Sequence, residues 1–358
     1  MNVYKVIGLM SGTSLDGLDL AYCHIWEEKE QWYFEIRETK SVSYDTEMKA
    51  RLQKALHLSA TELLTFHSTY GTWLGEQCNL FINQFKLDVD VISSHGHTVH
   101  HQPENGFTYQ IGSGQHIANV SKHKVICDFR TNDVALGGQG APLVPIGDQL
   151  LFEQYDFCLN LGGISNVSFE YQGKRVAYDI GLANMILNYI TQKIELPFDN
   201  DGLLASRGVM NHEMFERLNG LEYYTLAFPK STGYEWFLKE VVPIVDSTDD
   251  TIENLLHTAV HHISEQIANQ IRRHTAKVEH DLLVTGGGAL NSFLMKTIQS
   301  KLKNTVTIIR SDKTLIEFKE ALVFALMGVL RLEKKTNVLC SVTGAHKDSS
   351  SGVIYEPA

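Results

Sequence analysis

Basic runs are nearly missing from this chain: none exceeds the pair Arg272-Arg273, and Lys+Arg 31 against Asp+Glu 42 leave a net charge of -11. That balance excludes a nucleic-acid partner, because phosphate backbones are held by clustered cations. No stretch of about 18 uncharged apolar residues occurs, so no membrane partner is expected. The N-terminus MNVYKVIGLMSG has no basic region followed by a long apolar run, which argues against a secretory leader. Cysteine is scarce, and Cys23, Cys78, Cys127, Cys158 and Cys340 lie far apart without a CxxC. A zinc knuckle and a redox pair are thereby excluded, and a reducing cytoplasm fits best. The sequence also lacks GxxxxGK[ST] and GxGxxG, which removes the simple P-loop and Rossmann readings.

What is present is a chain of 358 residues, 43% hydrophobic and 20% charged, long enough to bury a sizeable core and divide into two lobes. Interleaved strand and helix patterns predict an α/β fold. Residues 3–9 and 18–26 read as a hairpin across a Gly/Ser/Thr turn. Two helices follow, one from Asp45 and one in which Phe66, Tyr70, Leu74 and Phe81 recur at helical spacing. DVDVISS reads as a short buried strand ending at the cluster HGHTVHH, whose spacing is not HExxH and whose metal-binding potential is weak. A second unit is expected near residue 125, with strands in KVICDF, DFCLNLGGISNVSFEY and RVAY. Its middle piece loosely repeats the layout of the opening hairpin, by duplication or by chance. The longest predicted helix, DDTIENLLHTAVHHISEQIANQIRRH, carries Ile252, Leu256, Ala259, Ile263, Ile267 and Ile271 as one apolar stripe. A strand, a triple-glycine turn and a helix are read in DLLVTGGGALNSFLM, and a last helix from about Glu317 to Lys334. The lobes are expected at 1–124 with 336–358, and at 125–335.

The chemistry concentrates in three glycine turns. In GLMSGTSLDGLDLAY, small residues let backbone N–H groups converge on an anion while hydroxyls add donors. Phosphate is the natural guest, and Asp16 and Asp19 beside it call for a cation between, which points to Mg2+ with a nucleotide. An ordinary hairpin with solvated aspartates reads the stretch equally well. Gly162 and Gly163 form a second such turn. Gly286, Gly287 and Gly288 follow a strand and precede a helix, a costly arrangement unless the backbone approaches something closely. Together they describe a kinase-like cleft. Asp179, read at the end of the strand RVAY, is the candidate base; the alternative makes it the N-cap of the next helix. Asp201 reads as a turn or cap residue.

These motifs resemble those of the anhydro-N-acetylmuramic acid kinases, sugar kinases of the actin and hexokinase superfamily, over nearly the whole chain. GLMSGTSLDGLD, SSHGHTVHHQP, DFRTNDVALGGQGAPLVP, NLGGISN, PKSTGYEWF, TGGGALNSFLM, EALVFA and VTGA stand in the family's order. The resemblance implies duplicated ribonuclease-H-like lobes with an ATP and sugar cleft between them. It implies that ATP, Mg2+ and one water open the 1,6-anhydro ring and phosphorylate the freed O6, giving the 6-phosphate of N-acetylmuramic acid for cell-wall recycling. By position, Gly12, Thr13, Ser14, Leu15, Asp16, Gly17, Leu18 and Asp19 would hold the phosphates. Gly162, Gly163, Gly286, Gly287 and Gly288 would face the nucleotide, and Asp179 would activate the water. Thr98, Arg130, Asp133 and Glu320 would line the sugar pocket, with Arg130 suited to the lactyl carboxylate. The partners implied are the small-molecule sugar and ATP, and a homodimer is the family's common assembly. Two departures stand out: DIGLAN, Asp179 to Asn184, replaces Asp-Thr-Gly-Pro-Gly-Asn, and His97 replaces a glutamine. They motivate two alternatives, a kinase for a different sugar and a non-catalytic nucleotide-binding regulator.

Overall fold

The near-continuous apolar runs VIGLM and LAYC within VYKVIGLMS and GLDLAYCHIWEE suit strands buried through their middles. In the computed structural model, which describes residues 2–12, 15–275 and 279–358, β1 (Val3–Ser11) and β2 (Gly17–Glu28) pair antiparallel from Val3↔Trp26 to Ser11↔Leu18. β3 (Gln31–Ser43) follows on β2, an edge strand whose polar, charged face hides it from a hydrophobic pattern search. β4 (Val91–Gln102) lies parallel to β1. It does not stop at Ser94 as expected. β5 (Phe107–Ile111) folds back onto it and supplies partners for the histidine cluster, with a bulge between Thr98 and His100. β6 (Lys124–Cys127) lies parallel to β4, and the C-terminal strand Val353–Tyr355 closes that edge.

Asp45 caps the helix Thr46–Lys54 through Met48 N–H, and a reciprocal Ser59/Glu62 capping box opens the helix Ala60–Phe85. Phe66, Tyr70, Leu74 and Phe81 from this second helix pack with Ile7, Leu9, Leu20 and Ile92 into one core. Each such burial is worth about 1.5–3 kcal/mol. On the other face of the same strand, Gly8 lets the helix Lys313–Leu332 touch the sheet, since an added Cβ would lie 1.9 Å from the Ala321 carbonyl oxygen.

The second sheet is built from β7 (Phe157–Leu161), β8 (Ile164–Tyr171) and β9 (Lys174–Leu182) in antiparallel order. β10 (His280–Thr285) runs parallel to β7, and β11 (Val306–Arg310) parallel to β10. Its core receives Leu256, Ala259, Ile263, Ile267 and Ile271 from the helix Ile252–His274, the stripe expected apart from the less buried Ile252. The two sheets share one layout, β3-β2-β1-β4-β6 and β9-β8-β7-β10-β11: three antiparallel strands whose first is followed by two parallel neighbours. That repetition is the duplicated ribonuclease-H-like topology.

The chain divides into one unit of Met1–Phe152 with Phe318–Ala358 and another of Glu153–Glu317. The boundaries expected at 124/125 and 335/336 are corrected accordingly. Residues 125–152 and 318–335 belong to the first unit, because β6 continues the first sheet and the Lys313–Leu332 helix lies against β1. Among the described residues, no helix is long and apolar enough to cross a membrane.

Candidate active site

In the first unit, the β1–β2 turn begins at Gly12, whose carbonyl accepts Leu15 N–H at 3.3 Å. Thr13 and Ser14 lie outside the described residues. Leu15 adopts a left-handed φ of 60°, and a Cβ on Gly17 would meet the Val42 carbonyl oxygen at 2.4 Å, so the turn is folded against β3. Asp16 is exposed, whereas Asp19 is half-buried and accepts the Ser41 hydroxyl. Leu18 is a core residue and Leu15 packs against the core, which leaves only their backbone for a ligand.

At the end of β1, Ser11 Oγ bonds His97 Nδ1 at 2.8 Å and Tyr44 Oη at 2.6 Å, and Tyr44 continues to Tyr70 at 2.8 Å. Burial pushes His97 down to about 4, so it is neutral. With only 3% of its surface exposed, His97 joins the turn to β4 and does not present its ring to a ligand. Thr98, next in β4, accepts Gln110 Nε2 at 3.3 Å.

Arg130 donates from Nε and Nη2 to His95 Nε2 at 3.0 and 2.9 Å, and from Nη1 to the Gly140 carbonyl at 2.6 Å. His95 can accept because its Nδ1 donates to the Gly96 carbonyl at 3.0 Å, and burial with the Arg130 charge holds it well below the usual imidazole range. Asp133 is fully buried. One carboxylate oxygen accepts Gly140 N–H at 2.7 Å and the other the Thr343 hydroxyl at 2.7 Å, so it fixes the carbonyl that Arg130 grips. Direct sugar contact by Asp133, as the resemblance implies, is not what this geometry offers. Burial raises Glu320 above the ordinary carboxylate range; Arg130 and Lys319 oppose the shift and Asp19 reinforces it, which places these groups in one neighbourhood. Lys319 itself pairs with Asp148 at 2.6 Å, both nearly buried. A cavity of about 210 Å3 in this unit is lined by His67, His95, Gln110, Asp128 and Thr131 among others, and by none of the expected sugar residues. His95 and His97 spend ring nitrogens on protein groups, and among the described residues no three His, Cys, Asp or Glu could hold a metal together.

In the second unit, the five expected glycines come together. A Cβ on Gly286, at φ 80°, would lie 2.5 Å from Asn160 Oδ1, one on Gly288 would lie 2.7 Å from Leu161 Cβ, and one on Gly287 meets only Asn184 Nδ2 at 3.9 Å. Gly286 and Gly288 are thus required by packing onto the end of β7, while Gly287 faces space. The Gly162 and Gly163 carbonyls accept Asn184 and Ala183 N–H at 3.0 and 2.9 Å, tying the second turn to the helix Asn184–Gln192. The helix Ser292–Leu302 starts beyond the glycine loop and is capped by Asn291, and Asp201 Oδ1 accepts Ser292 N–H at 2.8 Å, the cap role expected of it.

Asp179 lies inside β9, not at its end, and the N-cap position of the following helix is Ala183, so the capping alternative falls. A register shift between Ser165 and Asn166 sets Asp179 opposite Asn166, the kind of bulge that re-aims a side chain. Its Oδ2 accepts Thr232 N–H at 3.0 Å, and among the described residues Oδ1 accepts no hydrogen bond. Burial raises its pKa above the usual Asp value, partly offset by Thr232 N–H and Lys230. Lys230, Thr232 and Tyr223 were not picked out by sequence reasoning, although PKSTGYEWF carries two of them. Ile180, Leu182 and Ala183, the altered residues of DIGLAN, are buried at 0%, 2% and 0% exposure in the core. Their departure from the family pattern is a matter of packing.

The family model for anhydro-N-acetylmuramic acid kinase matches residues 4–357. The chain is 32% identical to the anhydro-N-acetylmuramic acid kinase of Sulfurimonas denitrificans, over 98% of this chain and 99% of that protein. It is 34% identical to the one of Aliivibrio fischeri, with the same coverage of 98% and 99%. Among solved structures, the activator of the 2-hydroxyisocaproyl-CoA dehydratase from Clostridium difficile with bound ADPNP aligns at 12% identity and TM-score 0.43, over 90% of this chain and 93% of that one.

Proposed function

The chain belongs to the anhydro-N-acetylmuramic acid kinase family, and from that premise we propose that it hydrolyses the 1,6-anhydro bond of anhydro-N-acetylmuramic acid while transferring the γ-phosphoryl group of ATP to O6. The observation that carries the site assignment is Asp179: a half-buried carboxylate at a bulge, one oxygen fixed by Thr232 N–H and the other unbonded among the described residues. A carboxylate so held can accept a proton from a bound water.

Water adds to the anomeric carbon as Asp179 takes one of its protons. The bond from that carbon to O6 breaks with its electron pair on O6. O6 bonds the γ-phosphorus, the bond to the β,γ-bridging oxygen breaks, and ADP leaves. The Asp179 proton returns to solvent.

In the first unit, the turn Gly12 to Asp19 takes the phosphates through backbone N–H groups, and Thr98, Arg130 and Glu320 take the sugar. Asp133 acts through Arg130. In the second unit, Gly162, Gly163 and Gly286 to Gly288 take the nucleoside side, with Gly287 presenting open backbone. The exposed carboxylate of Asp16 and that of Asp19 suit a hard divalent cation beside phosphates, so these two would hold Mg2+. When bound, the ion neutralises charge on the phosphate oxygens. We place the reaction in the cytoplasm, where ATP is available and buried thiols such as Cys78 stay reduced.

The different-sugar and regulator alternatives rested on His97 and on DIGLAN, and both departures are buried. Asp179→Asn tests the assignment. ADP release with the anhydro sugar should fall by about 10²- to 10⁴-fold while ATP affinity stays at the parent value. Parent turnover in that variant would remove Asp179 as the base.

A further inference from the structure

β9 is the edge of the second sheet, so backbone groups on its outer side have no neighbouring strand to pair with. At Asp179 they are nonetheless paired, and in a closed ring. Asp179 N–H donates to the Lys230 carbonyl at 3.2 Å, Lys230 Nζ donates to the Tyr223 carbonyl at 3.2 Å, and Tyr223 Oη donates to the Asp179 carbonyl at 2.7 Å. The ammonium also stands 4.6 Å from the centre of the Tyr223 ring, close enough for a cation–π attraction. A fourth bond, Thr232 N–H to Oδ2, sets the carboxylate.

A strand edge needs only water to satisfy its N–H and C=O groups, so a ring of three side-chain and main-chain bonds around one residue is more than the fold demands. It fixes both peptide groups of Asp179, and with Thr232 it fixes the plane of the carboxylate. We infer that Tyr223 and Lys230 are positioning residues for the base, holding Asp179 so that Oδ1 faces the nucleophilic water. This rests on Asp179 being the base.

The ionisable groups around Asp179 are Lys230, Tyr223 and Tyr224 from this segment, Tyr178 beside it in β9, and Arg273 near the end of the helix Ile252–His274, whose charge acts on Lys230. Of these, Lys230 is the cation that lowers Asp179. A base works as the carboxylate, so activity is present above its titration and lost as pH falls through it. Removing Lys230 must move that acid limb to higher pH.

The experiment measures ADP release from ATP and 1,6-anhydro-N-acetylmuramic acid across pH, with the full chain and its variants Asp179→Asn, Lys230→Met, Lys230→Arg and Tyr223→Phe. Lys230→Met should lower kcat about ten- to hundredfold, as misplacement of a catalytic group does. KM for both substrates should stay within about twofold, and the acid limb should shift upward. Lys230→Arg should recover part of kcat with the limb at the parent pH, and Tyr223→Phe should lower kcat without moving the limb. A lysine that acted only through its charge would move the limb and leave the plateau kcat at the parent value, which would overturn the positioning inference. If Lys230→Met keeps the parent kcat and limb while Asp179→Asn is inactive, the positioning inference fails alone. If Asp179→Asn is active, the base assignment fails. Should Lys230→Met not fold in a thermal melt, parent kcat in both Lys230→Arg and Tyr223→Phe overturns the inference, and a loss in Tyr223→Phe supports it.

Discussion

Three of the five N–H groups of the Arg130 guanidinium are spent on His95 and Gly140, which leaves two for a ligand carboxylate. Lysine has no planar fork and cannot keep both protein contacts while reaching a carboxylate. Arg130→Lys should therefore raise KM for the sugar about 10- to 100-fold, the scale of one or two charge-assisted hydrogen bonds, and leave ATP affinity at the parent value. Steady-state kinetics with each substrate varied in turn checks it; an unchanged sugar KM would separate Arg130 from the sugar. Arg130 was named only through the family resemblance, as a guanidinium suited to a carboxylate, and its dependence on His95, 35 positions earlier, had no signal in the sequence. The same holds at Asp179. It stood out as a candidate base between an apolar strand and the following helix, while Tyr223 and Thr232, 44 and 53 positions away, carry no local signal that ties them to it. Ile180 and His97 were visible as departures, yet only packing shows that both are buried.

Among the elements, those with strong periodicity were readable. The 60–85 and 252–274 helices follow from their apolar stripes and their caps, Ser59 and Thr251. β3 and β5 were not readable, because their side chains alternate between polar faces and partial burial and their stability comes from pairing with β2 and β4. KVICDF was correctly read as a strand and assigned to the wrong unit, since a short apolar run says nothing of its parallel neighbour. The 252–274 helix also carries a pH effect. His262 is buried, with Nδ1 at 2.8 Å from Asn219 Oδ1 and Nε2 at 3.0 Å from Tyr224 Oη, and burial holds it down at about 3. The unfolded chain binds this proton near pH 6.5 and the native one does not, so stability is full above 6.5 and declines as pH falls toward 3. The slope contributed is at most about 1.4 kcal/mol per pH unit. Urea unfolding at pH 7 and 5 should show a shallower pH dependence for His262→Gln than for the parent, whatever its absolute stability. Equal slopes would mean that His262 titrates normally in the native state.

For the whole molecule, the duplicated topology was only hinted at by two similar glycine turns; strand order, which depends on contacts far apart in sequence, settles it. The unit boundaries escaped for a related reason: the chain returns to the first unit at Phe318, within the helix Lys313–Leu332, where neither composition nor a linker marks a change. The proposed function of the molecule as a whole is to couple hydrolysis to phosphoryl transfer, and that coupling would separate it from a kinase that phosphorylates an existing hydroxyl. Mass spectrometry of the product formed from 1,6-anhydro-N-acetylmuramic acid and ATP in ¹⁸O-labelled water tests the coupling directly. The product should carry both a phosphate and one labelled oxygen at the anomeric carbon. A product that gains phosphate without the labelled oxygen would contradict it.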